Sequence, residues 1–254
     1  MYIGSAIDKG DIGMNGNETI CVTKSRINAN QLKLIAIATM MVDHCAVVLL
    51  PDDFSALWFF RMIGRMTAPI MCFFIAEGYD HTSNLRKYMG RLLIMAILSH
   101  IPHNLCMGHN LWQFWKATDV MFSLLLGLVA LTIWKNDRFS VVQKLLGVLV
   151  CCLLAFPADW NYIAVLWILG FGIFHGQRGK SLMAFVVVAG IYLIQPWIHG
   201  TYFPFISRFG VFLVIPLLLL YNGERGRKSK LIKWGFYWFY PIHLLIIYWI
   251  GQLI

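Results

Sequence analysis

The sequence predicts an all-α fold: a polytopic integral membrane bundle of about nine transmembrane helices, amino terminus inside and carboxyl terminus outside. Three observations predict it. First, 59% of the 254 residues are hydrophobic and only 13% are charged, about half the charge of a soluble domain. Second, apolar stretches close to the ~20 residues that cross a bilayer recur along the whole chain. Third, Lys and Arg are segregated among the connecting segments. The mean hydropathy of +0.67 agrees. So little charge cannot cover a soluble body of this size, which excludes a water-soluble enzyme, a disordered tail and a coiled coil.

The predicted spans are 31–50, 56–76, 89–106, 119–134, 141–156, 160–175, 181–197, 204–221 and 234–253. The first ends at Pro51-Asp52-Asp53 and the fourth before Asn136-Asp137. The eighth stops at Asn222-Gly223, all turn-forming pairs. The third to seventh are short. Residues 1–30 form a polar leader without an apolar core and hence no secretory signal. Residues 31–254 read as one transmembrane domain without internal repeats.

The charges set the topology. With the amino terminus inside, 17 of the 21 Lys and Arg lie in cytoplasmic segments, from Lys9 to Lys33, Arg86 to Arg91, Lys135 to Lys144, Arg178 to Lys180 and Arg225 to Lys233. The opposite loops hold only Lys116 and Arg208, beside Asp52, Asp53 and Asp159. That bias is the positive-inside pattern. It accounts for the net charge of +9 without a nucleic-acid partner.

Ionisable groups inside a span cost about 2.5–3.5 kcal/mol each on insertion scales and so mark function or structural pairing. Lys33 sits at the inner edge of the first span, where a long stem snorkels. Asp43 and His44 lie roughly 15–17 Å deeper at the helical rise, beyond the reach of snorkelling. The second span carries Arg61 and Arg65, four apart and therefore on one face, at about the depth of Asp43 and His44. An Arg paired to Asp43 leaves His44 free as a general base. Glu77 and His81 end the second span, and Arg86 or Arg91 can pair with Glu77. His243 lies well inside the last span and joins the polar interior.

Other chemistry is unsupported. His100 and His103 face the same way, but no third ligand accompanies them, so no metal is expected. The six cysteines form no CxxC pair and read as small buried hydrophobes. Phosphate loops and a GxSxG elbow are missing. Gly172 and Gly176 make a GxxxG pattern, read as close helix packing.

The ordered motifs Lys33-Leu-Ile-Ala-Ile with Val42-Asp43-His44, Arg61-Met-Ile-Gly64-Arg65 with Pro69, and Glu77-Gly78-Tyr79 with His81-Thr82 resemble the TraX family. So do Tyr88 with Arg91-Leu92-Leu93, Ser99 with Pro102, Leu219-Leu220-Tyr221-Asn222-Gly223 with Arg225-Gly226, and Phe239-Tyr240-Pro241 with His243-Leu244-Leu245. The Lys33…His44 spacing is similar to the basic-x10-His signature of membrane acyltransferases. The resemblance runs from Lys33 to the carboxyl end and departs at His100, where Glu is expected, and at Asp119, where Asn is expected.

The resemblance implies a multi-pass acetyltransferase of the bacterial inner membrane. Its acyl donor is acetyl-CoA and its acceptor an amine or hydroxyl, either the pilin amino terminus or an envelope glycan. Within that expectation His44, Asp43, Arg61 and Arg65 are catalytic. Lys33, Arg86, Arg91 and Arg225 meet the donor, and Glu77, His81 and His243 line the pocket. Membrane lipid is the other expected partner. A transporter or flippase and a non-enzymatic assembly factor are the rival classes.

Overall fold

The computed structural model describes residues 27–51, 53–109, 118–198, 205–227 and 229–253, the side chains of 196–198 and 230–233 excepted. Lys9, Lys24, Arg26, Lys116, Lys228 and nearly all of the predicted leader lie outside the described residues. The described elements are helical. They are α1 (Ala29–Leu49), α2 (Leu57–Gly64), α3 (Thr67–His81), α4 (Leu85–Cys106), α5 (Val120–Trp134), α6 (Val141–Leu154), α7 (Asn161–Ile173) and α8 (Arg178–Ile198). There follow α9 (Phe205–Arg208), a 3-10 turn (Phe209–Leu213), α10 (Val214–Leu219) and α11 (Lys230–Leu253). Among the described residues pairing of the β type is confined to two isolated bridges, Ile27 with Tyr221 and Thr118 with Ala158.

Each of the nine predicted stretches overlaps a helix or a helical run, and the differences have local causes. The second stretch is broken at Arg65-Met66 and continues to His81. Pro69 has no N–H for the Arg65 carbonyl and its ring crowds that carbonyl, so the α-helical ladder must restart there. The third and seventh stretches are not short: α4 has 22 residues and α8 has 21. Asn84 caps α4 by accepting from the Lys87 N–H at 2.9 Å, which starts the helix before its apolar run. Arg86, Lys87 and Arg91 therefore ride on helical turns rather than on a loop. The eighth stretch is split by its 3-10 turn, and Pro216 withholds the N–H that the Phe212 carbonyl would use.

α7 lies at the centre, with Ile163, Ala164, Val165, Trp167 and Ile168 all buried. It packs on α5, whose Leu124, Leu128 and Leu131 have no exposed surface. Gly172 takes part in that contact, since a Cβ there would meet the Leu131 side chain. Gly176 does not: it stands beyond α7 in a left-handed turn, φ 80°, so the GxxxG pattern is only half a packing motif.

The surface inverts the soluble pattern. α6 buries only Cys151, while Leu145, Leu146, Leu149, Val150, Leu153 and Leu154 face outward. So broad an apolar surface is not one that a chain leaves to water. α1, the α2–α3 run and α8 are each long and apolar enough to cross a membrane.

The two ends of the bundle are separately tied. At one end Ile27 donates to the Leu220 carbonyl and Asn222 to the Ile27 carbonyl, both at 3.0 Å. Lys135 Nζ meets Asp80 Oδ1 there at 2.7 Å, and Arg178 donates to the Tyr221 carbonyl at 3.2 Å. At the other end Thr118 donates to the Pro157 carbonyl and Asp159 to the Thr118 carbonyl, both at 3.0 Å. Arg208 Nη1 donates there to the Tyr192 carbonyl at 2.7 Å.

Gly210 fixes the interrupted eighth segment against α2, because a Cβ at this position would overlap the Met62 backbone carbonyl. Backbone cannot yield as a side-chain tip does, so Gly210→Ala should destabilise the fold by about 1–3 kcal/mol, the usual cost of overpacking. Gly190→Ala, with open space around its Cβ, should be neutral or slightly stabilising. Thermal unfolding midpoints of the two variants in nanodiscs check this.

Candidate active site

α1 builds one wall of the site by helical arithmetic. Lys33, Ala36, Ile37, Met40, Asp43 and His44 recur at three- and four-residue steps, which place them on one face. All six line a single cavity of about 960 Å³. The cavity runs the length of that face. At its basic end it is lined by Glu77, His81, Lys87, Arg91, Arg225 and Arg227, and at its deep end by Asp43, His44, Gly64, Asp159 and Trp160.

At the deep end His44 and His243 are both buried, 7% and 2% exposed. His44 Nδ1 lies 2.8 Å from His243 Nε2, and His243 Nδ1 lies 2.8 Å from the Phe239 carbonyl. That carbonyl can only accept, so the neutral His243 carries its proton on Nδ1 and presents a bare Nε2. His44 then donates through Nδ1–H, which leaves its Nε2 lone pair unprotonated. Phe239 stacks flat on His243, with ring centroids 4.6 Å apart and planes within 7°. Arg61, not His44, is the partner of Asp43, while His44 is held through Nδ1 by α11.

Asp43 turns to a different partner. Arg61 Nη1 lies 3.2 Å from Asp43 Oδ1, an ion pair outside hydrogen-bond alignment, since that oxygen has no hydrogen-bonding partner. The approach depends on Gly64, where a Cβ would overlap the Asp43 side chain. Arg65 lies with its guanidinium 5.2 Å over the Trp160 ring. The structure brings Asp43, Arg61 and Arg65 together, but the two arginines stand behind Asp43 rather than in the cavity wall.

At the basic end Lys33 Nζ lies 4.7 Å over Phe74 and 5.7 Å over Phe236, a desolvated cation inside an aromatic clasp. Of the residues expected to meet the donor, Lys33, Arg91 and Arg225 line the cavity and Arg86 does not; Lys87 and Arg227 line it beside them. Glu77 is also reassigned. Its partners are His175 Nε2 at 3.1 Å and His81 Nδ1 at 3.7 Å, in place of Arg86 or Arg91.

The departures from the expected pattern have structural roles. Asp119 caps α5, accepting from the Phe122 N–H at 3.3 Å and from the Ser99 hydroxyl. His100 Nε2 meets Asn104 Nδ2 at 3.0 Å, and His103 is buried nearby. Sequence reasoning missed Asp159 as a lining residue, reading it only as an outer-loop charge. An acidic residue directly before a Trp at a helix start was its sole signal. The described cysteines, Cys45, Cys72, Cys106, Cys151 and Cys152, are free.

The family described as "TraX protein" matches residues 28–251. A probable fimbrial assembly protein FimC, serogroup H1, of Dichelobacter nodosus is 30% identical over 231 residues, covering 87% of this chain and 94% of the relative. An uncharacterized protein of Rickettsia prowazekii (strain Madrid E) is 23% identical over 239 residues, covering 85% of this chain and 89% of its own length. No solved structure matches the chain. The match spans α1 to α11 and every residue of the cavity wall named above: the chain belongs to the TraX family.

Proposed function

We propose that this membrane protein is a multi-pass acyltransferase of the bacterial inner membrane that moves an acetyl group from acetyl-CoA to an amine or hydroxyl. One observation carries the reading: a single cavity joins a cluster of basic side chains to a buried histidine, His44, whose Nδ1 is engaged by His243, so that Nε2 is the nitrogen left to take a proton. At about 960 Å³ the cavity is at the upper end of small-molecule sites. A phosphate-rich donor with a long thioester arm suits a channel that is cationic at the mouth and lined by Ala36, Met40, Ala68 and Met71 farther in. The grouping of the two helix ends agrees with nine alternating spans, basic end inside.

His44 Nε2 takes the proton of the acceptor nitrogen or oxygen as that atom attacks the thioester carbonyl. His243 keeps the Nδ1–H of His44 directed away from the cavity and shares the imidazolium charge, as an orienting partner does in a triad. Arg61 holds Asp43 in an ion pair beside the deep end, and with Arg65 offsets the carboxylates of Asp43 and Asp159 there, which keeps that end from repelling a developing oxyanion. The carbon–sulfur bond then breaks, the acetyl group stays on the acceptor, and His44 returns the proton to the departing thiolate. The fimbrial relative favours a pilus subunit over an envelope glycan as acceptor. Its name equally suits the second reading, a non-enzymatic pilus assembly factor, in which the polar interior only joins helices.

Thiol release from acetyl-CoA by purified protein in nanodiscs, with cell-envelope extract as acceptor source, separates the two. His44→Ala should lower turnover at least about 100-fold, the low end for a lost general base. His243→Ala should lower kcat with little change in KM for the donor, because it acts through His44. Equal turnover in folded His44→Ala protein, or none in the wild type, overturns the enzyme reading.

The basic end makes its own prediction. Arg225→Ala and Arg91→Ala should raise the KM for acetyl-CoA with kcat nearly unchanged. Arg86→Ala, outside the cavity wall, should leave both constants as they are. Steady-state kinetics on the three variants checks it.

A further inference from the structure

We propose that Glu77, His81 and His175 form a binding site for a divalent transition-metal ion at the mouth of the cavity, with zinc the best-matched ion. The proposal is independent of acyl transfer. Glu77 and His81 are one helical turn apart at the end of α3, and His175 arrives from the turn between α7 and α8. One donor atom from each lies within 4.8 Å of the others. Two imidazoles and a carboxylate are a ligand set used by zinc sites that keep an open position. Bonds of about 2.0–2.2 Å in a tetrahedron place ligand atoms roughly 3.4 Å apart. The Glu77 Oε1 to His175 Nε2 distance is 3.1 Å, so closure around an ion needs small side-chain movements. His81 Nδ1 lies 2.9 Å from the Glu77 carbonyl oxygen, and its side chain, 68% exposed, has room to turn from that contact and present a ring nitrogen to the ion.

The surroundings of His175 point the same way. Its other nitrogen, Nδ1, lies 3.4 Å from Asp80 Oδ2, and Lys135 Nζ holds Asp80 Oδ1 at 2.7 Å. A carboxylate on the far nitrogen fixes the tautomer and leaves Nε2 as the ligand, which is the usual support of a metal-bound histidine. Lys135 offsets Asp80, which leaves the Glu77 carboxylate as the charge that would meet the ion directly. Three protein ligands leave a fourth position open on the cavity side, since Glu77 and His81 line the cavity. Bound there, the ion would tie α3 to the α7–α8 turn.

The test uses full-length protein purified without a histidine tag, stripped with chelator, in nanodiscs. Cobalt(II) is the spectroscopic probe, and zinc is the competitor. The expected result is one ion per chain with an intense tetrahedral cobalt band that zinc displaces. The band should be lost in His175→Ala and in Glu77→Gln, and kept in His109→Ala, an exposed histidine elsewhere. Zinc should also raise the thermal midpoint of the wild type but not of His175→Ala, as a ligand of the folded state does. No stoichiometric binding by the wild type overturns the proposal. So does a band that survives in His175→Ala, and in either case Glu77, Asp80 and His175 form an ion-pair cluster only.

Discussion

An aspartate and a histidine beside each other in the middle of an apolar helix cannot share one partner, because neighbours on a helix point about 100° apart. Each must be satisfied separately, and in hydrocarbon an unsatisfied charge is too costly to keep. Much of the bundle follows from that demand. Asp43 requires α2 to come close enough for Arg61, and α2 comes close through Gly64. His44 requires α11 to present His243. These two contacts bracket α1 from different sides and leave its Lys33–His44 stripe facing the cavity.

The same arrangement gives the polar interior its direction. A chain of hydrogen bonds runs from the Phe239 carbonyl through His243 to His44, and a carbonyl at its root can only accept. Proton positions along the chain are thereby set by the backbone of α11, not by solvent. Flat stacking of Phe239 on His243 keeps the ring in the plane that makes this work. In the proposed reaction the cationic mouth and the directed lone pair are two ends of one channel, so donor binding and proton transfer are separable in mutants.

What the sequence made legible was what helical periodicity encodes. The Lys33 to His44 spacing states a face, and both residues line the cavity; the Arg61–Arg65 step brings two arginines beside Asp43 but outside the cavity wall. Their partners were harder. His243 is 199 residues from His44 and His175 is 98 from Glu77, and no local rule links positions so far apart. Arg86 and Arg91 differ by little in sequence yet only Arg91 lines the cavity, since five residues on a helix turn a side chain well away from its starting face. The restart of the second helix follows from Pro69, a breaker already visible in the chain. The 3-10 turn at Gly210 answers instead to the α2 backbone pressing on it.

α1 also works as a ruler. Eleven residues separate the cation at the mouth from the histidine at the depth, roughly 16 Å along the axis. Because the two are rigidly joined by one uninterrupted helix, their distance and their bearing are a single quantity. Inserting one residue between them would swing His44 by about 100° and lengthen the ruler by only about 1.5 Å, turning the imidazole out of the channel while leaving hydropathy unchanged. The outward-facing apolar letters of α6 can drift among apolar residues at little cost, whereas this stretch of α1 is intolerant of any change in length.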